Sequence, residues 1–544
     1  MTRIGVKKIN SLPFHLKSTS MKKIFLLLTL HSLVLFSFAQ TKKDADVIQQ
    51  IKMQGQENSK VMELAFYLTD VNGPRLTASP GYLSAANWAK KTLAGWGLKN
   101  AELEPWGEFG KGWQQERSYI AMTKPYYQPF IAVPRAWTGS TPGTGMYKGE
   151  VILIKAKDSL ELMQYAGRLT NKIVMLSVTD TIRPSFEPDA RRHADSTLEK
   201  MATAIPKEAA RNSPPGNRSP NQNLAIMQAF QRTLTRIINS EKPALVLSMN
   251  SRGTDGTIFV SGGGQYGKDA PEVPASLMVS SDDYLRMQRL INSGVKVELE
   301  AEVKTKFFTS DLKGYNVVAD IPGTDPKLKD EVVMLGGHLD SWHGATGATD
   351  NAAGCAVMME AVRILKTLGV KPRRTIRIVL WSGEEQGLHG SRNYVKNHLA
   401  DPVTMQLKPD HGKISAYYNL DNGGGKIRGI YLQGNEAVKA IFSQWLEPFK
   451  EMGAGTVTIN NTGSTDHVPF DAVGIPGFQF IQDPLEYNTR THHTNMDTYD
   501  HLVPADLQQA AMVVAAFVYN TAMRDEKLPR KELPKARETP LREF

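Results

Sequence analysis

The chain has 544 residues, which is long enough for two or three domains that each bury a core of their own. Its composition, 41% hydrophobic and 22% charged, is typical of a globular protein. Residues 1–40 carry six of the basic charges and no acid, and subtracting these six from the net charge of +10 leaves +4. That remainder is scattered and forms no basic stripe with interleaved aromatic residues, which argues against nucleic-acid binding.

Residues 21–39 have the features of a secretory signal peptide. Two lysines precede an apolar run that ends in Ser-Phe-Ala, so we expect cleavage after Ala39 and a secreted or periplasmic protein. Residues 1–39 are then a leader and signal peptide. The alternative is a membrane anchor, for which the run is short. No other stretch is apolar for long enough to cross a bilayer, so we expect no membrane contact once the signal is removed.

Cys355 is the only cysteine in the sequence, so no disulfide can form within the chain. Its neighbours, Gly354 and Ala356, belong to an apolar predicted helix. This context indicates a small core residue rather than a nucleophile.

Residues 40–114 are assigned to the N-terminal part of a catalytic domain. Apolar residues recur with helical spacing over residues 43–70 and 81–97, and a strand-like ELEPW follows. The turn-rich stretch DVNGPRLTASPGY separates the two predicted helices.

Short β-rich runs dominate residues 115–305, with one predicted helix over residues 281–293. Residues 183–222 are rich in Pro, Arg, Asn and Ser and are interpreted as a partly helical surface insertion. The block therefore predicts an inserted β-rich domain. The predicted strands are YIAMT, GEVILIKA, NKIVMLSV, PALVLSM, TIFVSG, PASLMVS and VKVELEAEVKTKF.

Strands and helices alternate over residues 306–524, which predicts an α/β domain with a mostly parallel mixed sheet flanked by helices. The tail, residues 525–544, is charged and predicted to be exposed. Ligands on such sheets gather at the carboxyl ends of the strands. The predicted strands are NVVADIPG, VVMLGGHL, IRIVLW, ISAYYNLD and GFQFI, and the predicted helices cover residues 351–368, 387–399, 435–452 and 505–523.

Side chains able to bind metal follow two of these strands. His338 and Asp340 follow the first, on the same side of an extended segment, so His338 can bind a metal while Asp340 accepts its second ring N–H. Glu384 and Glu385 follow the second, where neighbouring residues of a turn point in different directions. One glutamate can then bind metal while the other acts as a base.

Asp350, Asp421 and His493 complete the set of candidates. Asp350 precedes a predicted helix and could be an N-cap and nothing more, while Asp421 could belong to a plain glycine turn. Two divalent ions about 3.5–4 Å apart that share a hydroxide need carboxylate and imidazole ligands and a free carboxylate base. The combination predicts a two-metal hydrolytic site.

Five segments, in this order, resemble the motif set of metallopeptidase family 28, the co-catalytic zinc exopeptidases: GGHLDSW, TGATDNAAG, RTIRIVLWSGEEQGLHGS, YNLDNGG and HHTNMDT. The resemblance covers roughly residues 45–524 and is strongest to the carboxypeptidase Q branch and its bacterial aminopeptidase relatives. The β-rich block is similar to the protease-associated (PA) domain that many members carry at this place.

The resemblance implies two zinc ions per chain, with Asp350 bridging them. Glu384 matches the general base, and Asp340 matches the carboxylate that orients a histidine ligand. The implied metal ligands are His338, Asp350, Glu385, Asp421 and His493.

Two positions depart from the family pattern. Many members have a tyrosine just before the last histidine ligand; here it is His492, which becomes the candidate contact for the substrate carbonyl oxygen. His343 stands where an acidic residue is expected.

The predicted function is a secreted exopeptidase that hydrolyses dipeptides or N-terminal residues of peptides through a metal-bridging hydroxide, with Glu384 as the base. Whether it is an aminopeptidase or a dipeptidase stays open. The alternatives are a glutaminyl cyclase-like zinc enzyme and a non-catalytic receptor-like homologue. A homodimer is an expectation from the resemblance.

Overall fold

The computed structural model describes residues 44–205 and 222–536. The predicted signal peptide and residues 537–544 of the predicted tail lie outside these residues. Among the helices of the described chain, none has the length and apolarity needed to cross a bilayer.

Sixteen strands are found in the described residues. They are β1 (Lys99–Glu108), β2 (Gly112–Lys124), β3 (Gln128–Pro129), β4 (Ala132–Pro134), β5 (Tyr147–Ile154), β6 (Ile173–Leu176), β7 (Leu245–Ser248), β8 (Ser276–Val279), β9 (Glu298–Phe308), β10 (Lys313–Ile321), β11 (Val332–His338), β12 (Thr375–Trp381), β13 (Ile414–Asn419), β14 (Ile427–Tyr431), β15 (Thr456–Thr458) and β16 (Gly477–Gln482).

Helices connect and cover these strands. They are α1 (44–57), α2 (Val61–Phe66), α3 (Pro80–Gly95), α4 (Ser159–Met163), α5 (Asp195–Ala202), α6 (Gln222–Glu241), α7 (Ser281–Asn292), α8 (Ala353–Thr367), α9 (His389–Tyr394), α10 (Lys439–Leu446), α11 (Val468–Asp471) and α12 (Pro504–Met523).

The first sheet has the strand order β1-β10-β12-β11-β13-β16-β14-β15. Its four central strands, β12, β11, β13 and β16, pair in parallel, and antiparallel pairs flank them. The prediction of an α/β fold with a mostly parallel mixed sheet is confirmed. Because parallel strands end at the same edge, the residues that follow β11, β12 and β13 are brought together there.

Both faces of the central strands of this sheet are buried. On β11, Val333 and Leu335 join the core formed with α8 and α12, whereas Met334 points to the opposite core, beside Tyr394 and Phe470. Strands covered on both faces read as continuous apolar runs, which is why VVML and IRIVLW were recognisable in the sequence. Cys355 is fully buried in α8, which confirms its interpretation as a core residue.

The second sheet has the order β3-β2-β9-β5-β6-β7-β8-β4 and contains the β-rich block. The chain passes into it through β2 and leaves through β9, and these two strands pair antiparallel with Gly112 opposite Phe308. Adjacent first and last strands are the arrangement expected for a unit inserted into another fold. The predicted limits, residues 115–305, fall just inside these two strands.

The prediction of a strand at TIFVSG, residues 257–262, is wrong. This segment joins no ladder and makes only isolated pairs, one of them between Phe259 and Thr494. The N–H of Val260 donates to the carbonyl of His493 at 2.7 Å. Its backbone hydrogen bonds therefore go to the loop that holds a predicted metal ligand, which local sequence does not reveal.

Other differences concern element limits. The helix predicted over residues 43–70 is divided between α1 and α2, with a break at residues 58–60. Helix α6 and strands β14 and β15 were not predicted. The helices predicted over residues 281–293 and 505–523 are confirmed within one residue at each end.

Candidate active site

The candidate site is built at the carboxyl ends of two neighbouring parallel strands. His338, the last residue of β11, is paired in register with Trp381, the last residue of β12. The chain turns after β12 through Gly383, whose φ of +68° favours glycine. This turn places Glu384 and Glu385 beside His338.

Asp350 lies between two histidines. Its Oδ1 is 3.3 Å from Nε2 of His338, and its Oδ2 is 3.2 Å from Nε2 of His493. Each carboxylate oxygen thus faces a different imidazole, which is the arrangement that a bridging carboxylate requires.

Each histidine also faces a second carboxylate. Nε2 of His338 is 3.2 Å from Oδ1 of Asp421, and Nε2 of His493 is 2.9 Å from Oε2 of Glu385. The structure thus brings all five predicted ligands together, in two groups that share Asp350.

Asp350 does not cap helix α8. The side chain of Asn351 does so instead, because its Oδ1 accepts the N–H of Gly354 at 3.1 Å. The backbone of Asp350 is held by Asp497, whose carboxylate accepts the N–H of Thr349 at 2.6 Å and that of Asp350 at 3.0 Å. Asp497 was missed in the sequence, where an acid in a polar stretch gives no signal.

The hydrogen bond predicted between His338 and the Asp340 carboxylate is not the one observed. Nδ1 of His338 donates to the backbone carbonyl of Asp340 at 2.9 Å and is 3.8 Å from the carboxylate. The carboxylate instead accepts the N–H groups of Glu384 and Glu385, each at 3.3 Å. Asp340 therefore holds the turn that carries the glutamate pair, and its carbonyl orients the histidine.

Thr77, in the turn-rich stretch before α3, completes this network. Its hydroxyl donates to Oδ2 of Asp340 at 3.0 Å and accepts the N–H of Gly383 at 3.1 Å. The side chain is fully buried. A threonine in a turn carries no individual signal, so its role could be found only in the structure.

The residues present fit a metal ion. Because Nδ1 of His338 donates its proton to a carbonyl, the lone pair of Nε2 faces two carboxylate oxygens, and only a cation or a proton makes that contact favourable. Oδ2 of Asp350 and Oε1 of Glu385 are buried and accept no hydrogen bond from the described residues. Two groups of candidate ligand atoms lie within 4.8 Å of one another. One group is formed by His338, Asp350 and Glu385, and the other by Asp350, His492 and His493.

Burial and crowding shift the acid–base equilibria of the site. Burial raises the pKa of Glu385, and the Asp350 charge reinforces the shift. Burial opposes protonation of His338, but the charges of Asp421 and Glu384 and the hydrogen bonds to Asp350 and Asp421 together outweigh it and raise its pKa. For Asp350, burial opposes ionisation, but the hydrogen bond from His338 and the charges of the neighbouring histidines together outweigh it and lower the pKa. A nearby positive charge would stabilise the ionised form of carboxylates that are buried this close together.

Glu384 differs from its neighbour because its carboxylate takes part in no hydrogen bond or ion pair within residues 44–205 and 222–536. Burial raises its pKa well above the usual range; His338 opposes this shift, and Asp421 and Asp466 reinforce it. A free carboxylate of raised basicity next to candidate ligands is suited to accept a proton.

Two hydrogen-bond donors lie beside the carboxylates. His492 has its Nε2 4.0 Å from Oδ2 of Asp350, and burial lowers its pKa to about 4, which leaves the ring neutral. The ring of Tyr487, not considered in the sequence, stacks obliquely on His492 with centroids 4.7 Å apart. Its hydroxyl has no hydrogen-bond partner within the described chain.

The chain is similar to known peptidases. Residues 316–518 match the model of peptidase family M28. Carboxypeptidase Q of Mus musculus is 25% identical over 486 residues, which are 89% of this chain and 90% of that protein.

Two solved structures extend the likeness to nearly the whole chain. A peptidase M28 precursor from Shewanella amazonensis has a TM-score of 0.64 at 22% identity and covers 91% of this chain and 99% of its own. A zinc aminopeptidase from Bacillus subtilis has a TM-score of 0.53 at 18% identity, with 87% and 97% covered. At these identities the structures show a shared fold.

Proposed function

We propose that this chain, which belongs to peptidase family M28 over residues 316–518, is a two-zinc exopeptidase that cleaves dipeptides or terminal residues of short peptides. The observation that carries the proposal is the position of Asp350, with one oxygen toward His338 and the other toward His493. Within the part of the chain that the structure describes, the Glu384 carboxylate beside them takes part in no hydrogen bond or ion pair.

We assign His338 and Asp421 to one zinc ion, Glu385 and His493 to the other, and Asp350 to both. When bound, the two ions would polarise the scissile carbonyl and lower the pKa of a shared water molecule. The identity of the metal as zinc is supported by the imidazole and carboxylate donors.

Glu384 is the proposed general base. Its carboxylate accepts the proton of the attacking water and then delivers it to the nitrogen of the leaving amine. Burial raises its pKa, which favours uptake of the proton from water, and the leaving amine, a stronger base than the carboxylate, can then take that proton. Asp340 and Thr77 act indirectly, by holding the turn that carries Glu384.

His492 and Tyr487 are the proposed donors to the carbonyl oxygen. A neutral imidazole and a phenol each present one N–H or O–H, and negative charge develops on that oxygen as the tetrahedral intermediate forms. His492 stands where many relatives of the family have a tyrosine, and Tyr487 places a phenol in contact with it.

The experiment compares stripped and reloaded protein. The chelated protein and the zinc-reloaded protein are each assayed on a free dipeptide, its N-acetylated form and a glutaminyl peptide, with products separated by chromatography. We expect free amino acids from the dipeptide only after zinc is restored.

The outcomes separate the alternatives. Cyclisation of the glutaminyl peptide without hydrolysis of the dipeptide would favour a cyclase, and no turnover of any substrate would favour a receptor-like protein. Full activity of a His338→Ala variant that binds no metal would overturn the metal assignment.

Three further proposals concern the whole protein. The second sheet, from Gly112 to Phe308, is a PA-like inserted domain, as the pairing of β2 with β9 supports. The chain is exported with the aid of residues 21–39, which N-terminal sequencing of the mature protein tests. It forms a homodimer, which light scattering tests.

A further inference from the structure

A cavity of about 440 Å³ lies against one face of the second sheet, over strands β6, β7 and β8. Its lining residues all fall between Arg135 and Tyr284, so none of the five candidate metal ligands is among them. Small-molecule sites in proteins have volumes of about 300–1,000 Å³. The second sheet therefore has room for a ligand of its own, apart from the candidate active site.

The alternation of side chains along the strands sets the chemistry of this face. Val174 on β6 pairs in register with Val246 on β7, which in turn pairs with Ser276 on β8, and all three line the cavity. Leu245 and Leu277 precede and follow members of this row and point into the core on the opposite face. The row that faces the cavity thus changes from apolar on β6 and β7 to polar on β8.

Helix α6 covers the apolar end of the cavity. Leu234 and Ile238, one turn apart on this helix, line the cavity and pack in the same cluster as Val174. Three polar residues at one-turn spacing on α6 also line the cavity and are exposed: Gln231, Thr235 and Asn239. The helix therefore supplies an apolar wall and a polar edge that is open to solvent.

Arg135 lies at the other end of the cavity, directly after β4, the edge strand next to β8. Its backbone N–H donates to the carbonyl of Ser276 at 2.9 Å, which fixes it beside β8. Within residues 44–205 and 222–536 its guanidinium makes one hydrogen bond, from Nη2 to the carbonyl of Gly262, and no ion pair. Its Nε is buried and donates to no atom of the described chain.

This arginine lacks the acid that usually accompanies a buried cation. Burial lowers the pKa of Arg135, as expected for a charge that has lost water contact. The hydroxyl of Ser276 is also buried and has no hydrogen-bond partner among the described residues. A guanidinium N–H and a hydroxyl at the same end of a cavity are suited to bind a single anionic group.

We propose that this cavity binds an aliphatic monocarboxylate, with its carboxylate on Arg135 and Ser276 and its chain against Val174, Val246 and Leu234. One guanidinium and one neutral hydroxyl match a single negative charge better than a phosphate dianion. Two strand spacings separate β6 from β8, so the chain must extend over roughly 10 Å to reach the apolar end. This requirement selects a medium-chain acid over acetate. The site goes beyond the proposed peptidase function and does not depend on it.

The test is isothermal titration calorimetry of zinc-loaded wild-type protein with octanoate, 1-octanol and acetate. We expect octanoate to bind more tightly than the other two, since it alone has both the charge and the chain. Arg135→Gln should raise the Kd for octanoate about 10- to 100-fold, because a charged hydrogen bond in a buried site is lost. The Kd for 1-octanol should change little.

Two further variants separate the charge from the chain. Arg289→Gln, the matched control, replaces an exposed arginine on α7 that does not line the cavity, and it should leave the Kd for octanoate unchanged. Val246→Phe places a larger side chain at the apolar end and should weaken octanoate binding while Arg135 stays in place. Urea unfolding of each variant shows that the fold is retained.

Three outcomes would overturn the inference. Octanoate fails to bind wild-type protein, acetate or 1-octanol binds as tightly as octanoate, or Arg135→Gln binds octanoate with an unchanged Kd. Because carboxylates also bind zinc, the octanoate titration is repeated on His338→Ala, which should keep the site. Binding that is lost in His338→Ala and kept in Arg135→Gln would place octanoate at the candidate metal site and would also overturn the inference.

Discussion

Glu384 and Glu385 show how two identical neighbours acquire different chemistry. Both N–H groups are held by Asp340. Their side chains diverge, so that Glu385 meets His493 at 2.9 Å while Glu384 has no partner in the described residues. The contact of Glu385 suits it to bind a metal ion, and the lack of a partner suits Glu384 to accept a proton. The turn after β12 positions both side chains.

Replacing each glutamate by glutamine should therefore give different results. Glu384→Gln should lower kcat by about 10²- to 10⁴-fold while both metal ions stay bound, because the amide cannot accept the proton. Glu385→Gln should lower the metal content as well. Steady-state kinetics and atomic emission on the same samples test this. If the Glu384→Gln variant kept near wild-type turnover, Glu384 would not be the general base.

Thr77 offers a test of positioning without contact with the reacting atoms. Thr77→Val keeps the shape but leaves Asp340 and the N–H of Gly383 each short of one hydrogen bond. We expect a loss of about 1–3 kcal/mol in unfolding free energy and a fall in kcat with little change in KM.

Thr77→Ser retains the hydroxyl and should restore kcat. Equal kcat values for the valine and serine variants would show that the hydroxyl does not position the base. Urea unfolding of both variants, analysed by linear extrapolation, separates this effect from a general loss of stability.

For single residues, the sequence predicts the candidate metal ligands better than the residues that hold them in position. His338, Asp350 and Glu385 are recognisable because chemistry restricts their residue types and strand ends restrict their places. Thr77 and Asp497 act through hydrogen bonds to backbone groups far away in the chain. Many residue types in a turn could do this, so nothing local marks them.

At the scale of elements, residues 189–204 form a strap from the second sheet onto the first. Arg191 pairs with Leu485. Arg192 reaches two acids that lie after β16 and in α12, Asp483 at 2.9 Å and Asp506 at 2.7 Å, both of them buried. The strap therefore fastens the segment that precedes His492 and His493.

Arg192→Gln should weaken this attachment. Because Asp483 keeps Arg428 as a partner but Asp506 loses its cation, we expect a loss of about 1–3 kcal/mol in unfolding free energy. Faster cleavage of the strap in limited proteolysis should accompany it. The control is Arg183→Gln, an exposed arginine that contacts only its own neighbourhood; a loss of the same size there would contradict the role of the strap.

Elements with regular burial were predicted well, and those defined by distant partners were not. Helix α12 is buried almost all round, and β11 and β12 are buried on both faces, so their apolar runs are long and clear. Residues 257–262 have a strand-like composition as well. Their partner is the loop around His493, more than 200 residues away, and no local pattern encodes that choice.

At the scale of the molecule, the two sheets meet beside the site, and His343 is one of the contacts. Its Nε2 donates to the carbonyl of Pro134 in β4 at 2.6 Å, and its ring lies edge-on to Trp113 at 4.9 Å. An acidic residue at this position could not donate to the carbonyl when ionised. The histidine at this position therefore has a structural role in this chain.

This contact predicts a pH dependence of stability. Burial lowers the pKa of His343 from 6.5 to about 4, so between these values the unfolded chain binds a proton that the folded protein does not. Stability contributed by this group is present above pH 6.5 and is lost as the pH falls toward 4. The part of this loss that falls between pH 7 and pH 5 is about 2 kcal/mol for an isolated group.

His343→Gln isolates this contribution, because glutamine can still donate to Pro134 but does not titrate. Urea unfolding of both proteins at pH 7 and pH 5, with saturating zinc, gives four free energies. The other buried histidines titrate alike in the two proteins and cancel in the comparison. We expect wild-type protein to lose more stability than the variant on acidification. Equal losses of unfolding free energy in the two proteins would mean that His343 is protonated within the folded protein. The contact between the sheets would then not depend on a neutral imidazole.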